Sequence, residues 1–147
     1  MQALLNRASH LKVLWQEESP ARRGHPPGVP VSDLGEAGER VLPVLREAAK
    51  QARCQRHMTL HEAHRCLVCP GAASGAAEAL VKTLSEVIGR RPVFYAPGTG
   101  IASFDEAWLV QCHATQSAGD VDSLALLVGR RVAAPLRRPF LDLLRSL

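Results

Sequence analysis

The sequence predicts an all-α protein, or nearly so: a small bundle of about five helices with at most one short extended segment near residues 92–96. Apolar residues make up 46% of the chain, but they are mainly Ala, Leu and Val, and only 4% of the chain is aromatic. A β-sandwich or barrel normally contains more β-branched and aromatic residues. Apolar residues also recur at helical spacing along most of the chain, and its 147 residues suit one domain.

The N-terminal region differs in composition from the rest of the chain. Residues 19–31 read "SPARRGHPPGVPV", with four prolines and two glycines. Each proline removes an amide donor and biases the residue before it toward extended conformations. We therefore expect an amphipathic helix at 1–17, a Pro/Gly-rich linker at 18–31 and a helical domain at 32–147. The apolar residues of the first helix are candidates for binding a partner: Leu4, Leu5, Leu11, Leu14 and Trp15.

The helical domain is expected to begin with a long helix. Asp33 followed by Glu36 fits an N-terminal capping pattern, and apolar residues recur at helical spacing as far as Ala52. Pro43 lies inside this pattern, so we expect it to kink the helix or to split it.

Capping signals predict where the later helices begin. Thr59 with Glu62 forms a capping box, which predicts a short helix from Leu60 that ends before Pro70. The clearest helix covers residues 74–88, where apolar residues form a continuous stripe. The other predicted caps are Ser74, Ser103 with Glu106, and Asp120, and the predicted helix stops are Gly89 and Gly119.

The stretch "CQRHMTLHEAHRCLVCP", residues 54–70, holds three of the four cysteines and three of the six histidines. On one straight helix Cys54 and the three histidines would share an arc of about 80°. They would also span about 15 Å, which is too long for one ion with bonds of about 2 Å. A single ion could therefore use only neighbouring members of this row.

Cys66 and Cys69 in "CLVC" have the spacing of a zinc or iron–sulfur knuckle, but the sequence lacks a second paired half. Two interpretations stay open. In the first, which we favour, the protein has no cofactor, and the cysteines are reduced thiols with the histidines at the surface. In the second, zinc or an iron–sulfur cluster is held by ligands from the set Cys54, Cys66, Cys69, Cys112, His61 and His64.

Three catalytic patterns fail on detail. "HEAH" has the histidines of a zincin helix three residues apart, where that chemistry needs four. "CLVC" lies near a predicted helix end, where the helix dipole disfavours a thiolate, and this argues against a thioredoxin-like site. "VFYAPGTGIAS" places glycines between a short extended run and a helix, but Ser103 occupies the third glycine position of a dinucleotide motif. No catalytic residue is predicted, and the sequence favours a protein that is not an enzyme.

The basic residues are fifteen Arg and three Lys, and the net charge is +4 with no long like-charge run. Three Arg doublets each fall near a predicted helix end, where cations can also satisfy backbone carbonyls. If folding brought the doublets together, they would form a patch for anions or nucleic acid. The candidate contacts are Arg90, Arg91, Arg130, Arg131, Arg137 and Arg138.

Taken as a whole, the sequence favours a small cytoplasmic, non-enzymatic accessory or regulatory protein that binds another macromolecule, with a protein as the preferred partner. No apolar run reaches the roughly eighteen residues of a transmembrane helix, and polar residues interrupt the N-terminal apolar stretch that a secretory signal would need. We therefore expect no membrane partner. The alternatives are a metal-binding sensor or metal-handling factor and a basic DNA-associated regulator. No motif is specific to one protein family.

Overall fold

The computed structural model describes residues 28–53, 58–67 and 75–147, with only the backbone of Cys66 and Leu67. Within these ranges six helices and a two-stranded sheet form, which confirms the predicted small helical bundle. The strands are β1 (Val29–Pro30) and β2 (Ile101–Ala102), which pair antiparallel, and a 3-10 turn at Val31–Leu34 follows β1. The helices are α1 (Gly35–Ala52), α2 (Leu60–Leu67), α3 (Ala76–Ile88), α4 (Phe104–Ser117), α5 (Val121–Gly129) and α6 (Ala134–Arg145).

The helices enclose one main apolar core. Helix α1 packs against α3 and α4, α6 packs against α2 and α3, and α5 packs against α4. The rings of Trp108 on α4 and Phe140 on α6 stack with their centroids 5.5 Å apart. Each fully buried Leu or Phe side chain contributes about 1.5–3 kcal/mol through the surface it removes from water. The largest buried side chains of this core include Leu45, Leu60, Leu80, Leu84, Leu109, Phe140, Leu143 and Leu144.

Three of the predicted helix starts with a local capping signal are confirmed. Ser103 accepts the amide N–H of Glu106, and the Glu106 carboxylate accepts the amide N–H of Ser103, which completes the capping box of α4. Thr59 and Glu62 make the same reciprocal pair at the start of α2, and Asp120 accepts an amide N–H in the first turn of α5. Gly89 and Gly119 take positive φ values after α3 and α4, as helix stops require, while Ser74 lies outside the described residues.

The predicted cap of α1 is wrong. Asp33 lies in the 3-10 turn before the helix and accepts a hydrogen bond from the Ser32 hydroxyl, and no side chain caps the N-terminus of α1. The chain instead enters α1 through Gly35, whose φ of 62° favours glycine. The helix then continues through Pro43 without being split, and Pro43 lies on its exposed side.

The extended segment expected near residues 92–96 does not form a strand. The short sheet pairs Val29 with Ala102 and Pro30 with Ile101 instead. Residues 28–31, assigned to the linker by composition, are thus part of the folded unit, and the Val31 N–H also donates to the Gly100 carbonyl. The proposed partner-binding residues Leu4, Leu5, Leu11, Leu14 and Trp15 lie outside the described residues.

Among the helices described, none combines the length and apolar character that crossing a membrane would require.

Candidate binding groove

A buried ion pair joins α1 to the start of α4. The Arg46 guanidinium donates through Nε to Oε1 of Glu106 at 2.9 Å and through Nη2 to Oε2 at 3.1 Å, and both side chains are buried. Arg46 also donates to the backbone carbonyls of Thr99 at 2.7 Å and Ile101 at 2.6 Å. The guanidinium therefore has partners on several sides, which offsets the cost of taking its charge out of water.

The carboxylates of Asp105 and Glu106 hold the segment 91–96 in place. Val93 N–H donates to Asp105 at 2.8 Å, and Tyr95 N–H donates to Glu106 at 2.9 Å. The Val93 carbonyl accepts a hydrogen bond from the hydroxyl of Ser103. These bonds take the place of a strand partner, because they satisfy the backbone groups that a neighbouring strand would otherwise satisfy.

Asp105 is buried and lies between two arginines. Its Oδ1 atom accepts from Nη2 of Arg90 and from Nη2 of Arg131, each at 2.6 Å, and its Oδ2 atom accepts from Nη1 of Arg90 at 2.9 Å. Burial by itself would raise the pKa of Asp105. The hydrogen bonds from Arg90, Arg131 and the Val93 N–H outweigh that effect and hold this pKa below its usual value.

The segment 91–94, fixed in this way, forms one wall of a groove of about 880 Å³ between α1 and α3. The apolar part of the lining includes Ala49 from α1, Val81 from α3 and Phe94 from the segment. Val93 is 38% exposed beside them. Because the wall is hydrogen-bonded to buried carboxylates, the groove is formed before any ligand arrives, which lowers the entropy cost of binding.

The polar lining of the groove is positively charged. Arg53, Lys82 and Arg91 contribute three cations, and the described lining contains no carboxylate. Arg53 donates to the Phe94 carbonyl at 3.3 Å, and Lys82 pairs with Glu78 on the same helix at 2.5 Å. The described lining also contains no His, Cys, Asp or Glu.

A second, smaller pocket of about 400 Å³ lies between α2, α3 and α6. Three of its ionic groups have partners within the fold: His64 Nε2 lies 3.2 Å from Asp142 Oδ2, and Glu86 accepts the amide N–H of Leu60 at 2.7 Å. These contacts connect α2 to its neighbours. We therefore assign this pocket a role in holding α2 and take the groove as the candidate functional site.

The predicted metal ligands are placed only in part. His61 and His64 line the second pocket, whereas Cys112 is fully buried in the apolar core, where burial raises its pKa to about 12. In the ranges that the structure describes, no three His, Cys, Asp or Glu residues gather closely enough to hold a metal ion. Cys54, Cys69 and the side chain of Cys66 lie outside those ranges, so the metal site stays a prediction.

In each Arg doublet, one member makes contacts within the fold and the other is exposed. Arg90 and Arg131 converge on Asp105, and Arg137 donates to the carbonyls of Val132 and Gly129 and so closes the turn after α5. The remaining member of each doublet is exposed: Arg91 lines the groove, Arg138 lines the second pocket, and Arg130 follows the end of α5.

The sequence does not predict the buried pair of Arg46 with Glu106. It also does not predict that Ser103 and Glu106 of the capping box bond to Val93 and Tyr95. One signal was present, since Arg46 stands beside Leu45 and Ala49 within the apolar pattern of α1. A charged residue on the buried side of a helix requires a buried partner.

Comparison of the chain with protein-family models, curated proteins and solved structures gives no match.

Proposed function

We propose that this chain is a small cytoplasmic, non-enzymatic accessory or regulatory protein that binds a protein partner without a cofactor. The groove between α1, α3 and the segment 91–94 would receive an amphipathic segment of the partner that carries acidic residues. The observation that carries this proposal is the combination of an apolar floor with Arg53, Arg91 and Lys82 in a described lining without a carboxylate, although Lys82 is paired with Glu78 outside it.

The charges at the edge of the groove, from Arg53, Lys82 and Arg91, favour binding of an extended acidic surface over binding of a single compact anion. Arg53 and Lys82 are each oriented by a partner within the protein, the Phe94 carbonyl and Glu78 respectively. Because Glu78 offsets the charge of Lys82, the net positive charge of the lining comes mainly from Arg53 and Arg91, and these two do not form a ring of free donors around one point. Such a rim attracts several carboxylates along a segment, while the apolar residues of that segment cover Val81 and Phe94.

A pair of synthetic peptides tests the proposal. The first forms a helix with leucines on one face and glutamates on the other, and its twin carries lysines in place of the glutamates. Fluorescence anisotropy with the full chain should show saturable binding of the acidic peptide that weakens as salt rises, and much weaker binding of the twin. Equal binding of the two peptides, or no binding of either, would contradict the proposal.

Two variants locate the binding. Arg53→Glu combined with Arg91→Glu reverses two rim charges and should weaken the acidic peptide at least about tenfold. Ser85→Trp fills the groove from α3 and should block it without changing the charge. Arg40→Glu, an exposed charge reversal on α1 outside the groove, is the matched control. If both groove variants bind like the control, the peptide sits elsewhere and the groove is not the site.

A further inference from the structure

A second surface, distinct from the groove, surrounds the turn between α5 and α6. Arg90 and Arg131 meet on one oxygen of Asp105, and Arg137 folds back onto the turn through the Gly129 carbonyl. Arg130, beside Arg131 in the chain, is exposed. Residues from all three Arg doublets are therefore linked by contacts at one region of the molecule. We call Arg90, Arg130, Arg131, Arg137 and Phe104 together the arginine surface.

The charge of this surface is not cancelled by the carboxylate inside it. Asp105 is only 2% exposed, and two arginines surround it, so the cluster of these three keeps a net positive charge. The Nη1 atom of Arg131 is buried and has no hydrogen-bond partner within the described residues. The nearest carboxylates on α5, Asp120 and Asp122, lie at the opposite end of that helix.

An exposed aromatic ring lies beside Arg131, one of these cations. Phe104, the first residue of α4, is 60% exposed, and the Arg131 guanidinium stands 4.9 Å from the centre of its ring. The same guanidinium stands 4.6 Å from the buried Trp108 ring. The Arg131 charge is therefore held in place by two aromatic rings and Asp105, and Phe104 remains open to solvent.

We propose that the arginine surface binds single-stranded nucleic acid. An exposed ring beside fixed cations is the combination that such binding uses, since a base stacks on the aromatic face while its phosphates pair with arginines. Phe104 supplies the stacking face, and Arg131 holds a positive charge beside it. Arg90 adds a second charge, although its guanidinium is bound to Asp105, and the exposed Arg130 is the candidate contact to the phosphates because it is next to Arg131 in the chain. A duplex is the weaker ligand, because its paired bases present no free face to Phe104.

This site is separate from the groove and goes beyond the proposed protein binding. Arg53 and Lys82 belong to the groove and not to the arginine surface, and Phe104 and Arg130 do not line the groove. A chain with both sites would bring a protein partner to a nucleic acid. Failure of one site in its own test leaves the test of the other unaffected.

Anisotropy of a labelled mixed-sequence DNA single strand, with its duplex and an RNA of the same sequence as parallel probes, tests the proposal on the full chain. We expect binding of the single strands in low salt that falls steeply as salt rises. Phe104→Ala and Phe104→Leu should each weaken it by about fivefold or more, because both remove the stacking face while Leu keeps the apolar bulk. Arg130→Glu should also weaken it and reduce the salt dependence, whereas Arg40→Glu should bind like the unchanged chain.

Three results would overturn the proposal. The first is no binding of any single strand in the range of about 10⁻⁴ to 10⁻⁶ M that non-specific nucleic-acid binders show. The second is equal or tighter binding of the duplex together with unchanged affinity in both Phe104 variants, which would indicate a general polyanion surface. The third is an Arg130→Glu variant that binds like Arg40→Glu. Thermal unfolding of each variant verifies that the loss of binding does not come from loss of the fold.

Discussion

Arg46 and Glu106 have a strong influence on the groove although neither lines it. Their ion pair is buried, and Glu106 also accepts the amide N–H of Tyr95, the residue that directly follows the groove wall at 91–94. Removing one partner of a buried pair leaves the other charge without compensation. The pair therefore connects the stability of the fold to the shape of the binding site.

Glu106→Gln should lower the free energy of unfolding by about 3–5 kcal/mol, because the Arg46 charge stays buried without its counterion. Urea unfolding followed by circular dichroism measures the change. Glu36→Gln, an exposed glutamate in the first turn of α1, is the control and should stay within about 0.5 kcal/mol of the unchanged chain. If Glu106→Gln also stays within about 0.5 kcal/mol of the unchanged chain, the pair is not important for the fold.

Asp105 should make stability depend on pH in the acid range. Its pKa in the folded protein is held below the ordinary value of 3.8, so the unfolded chain binds the proton more tightly. The stability that ionised Asp105 provides is then complete above that value and is lost as the pH falls through it toward the lower folded pKa. Asp105→Asn should be less stable than the unchanged chain at neutral pH, and the gap should narrow below about pH 4.

Urea unfolding at a series of pH values from neutral to acid checks this expectation. Asp122→Asn, which removes an exposed carboxylate from the first turn of α5, is the control for the loss of one charge. A gap between Asp105→Asn and the unchanged chain that stays constant across the acid range would contradict the assignment.

Among the elements, α1 shows what a local pattern can and cannot predict. Its apolar stripe correctly predicts a helix that ends near Ala52, because the 3.6-residue period follows from the helix itself. Its start does not follow the local signal at Asp33, because β1 pairs with β2, far along the chain, and fixes the approach of the backbone. Pairing between distant segments leaves no trace in the local sequence.

Pro43→Ala should stabilise the protein. Proline inside a helix removes one backbone hydrogen bond and costs up to about 3 kcal/mol relative to alanine, and Pro43 is exposed, so little packing is lost when it is replaced. We expect a higher midpoint in thermal unfolding. A lower midpoint would show that Pro43 supports the packing of its neighbours Leu42, Leu45 and Arg46.

The segment 92–96 also shows that a local pattern does not reveal the distant partners of a segment. Its Val, Phe and Tyr residues favour an extended chain, and the sequence correctly gives no partner strand for it. The partners are instead the side chains of Ser103, Asp105 and Glu106 at the start of α4. The sequence predicts Ser103 and Glu106 as caps, which is confirmed, but a capping signal does not reveal that the same side chains also bond to Val93 and Tyr95.

In the molecule as a whole, the boundary of the folded unit lies slightly earlier than composition predicts. Val29 and Pro30 pair with β2, and Val31 packs against the smaller apolar cluster of Leu42, Ala102 and Val110. Prolines and glycines predict a linker at residues 18–31, yet they do not reveal that Val29 and Pro30 pair with a strand.

Two deletions locate this boundary. A chain that lacks residues 1–31 should be less stable than one that lacks residues 1–27, by about 1–3 kcal/mol, because it also loses the sheet and the Val31 contacts. Thermal and urea unfolding of the two chains measure the difference. Equal stability would place residues 28–31 outside the folded unit.

The helical class and most helix ends could be predicted, because caps, glycine stops and apolar stripes act within a few residues. The groove could not, since it depends on α1, α3 and the segment 91–94 coming together. Arg53, Lys82 and Arg91 are separated in the chain, and nothing in their local sequence distinguishes them from solvated helix ends.

The central claim, that the groove binds an acidic amphipathic segment, is tested most directly by amide chemical-shift mapping. Addition of the glutamate peptide to isotopically labelled protein should shift the amide signals of Ala49, Ala52, Val81, Ser85 and Phe94, and the changes should disappear in the variant that combines Arg53→Glu and Arg91→Glu. Shifts that lie mainly outside these residues, or that persist in the charge-reversed variant, would contradict it.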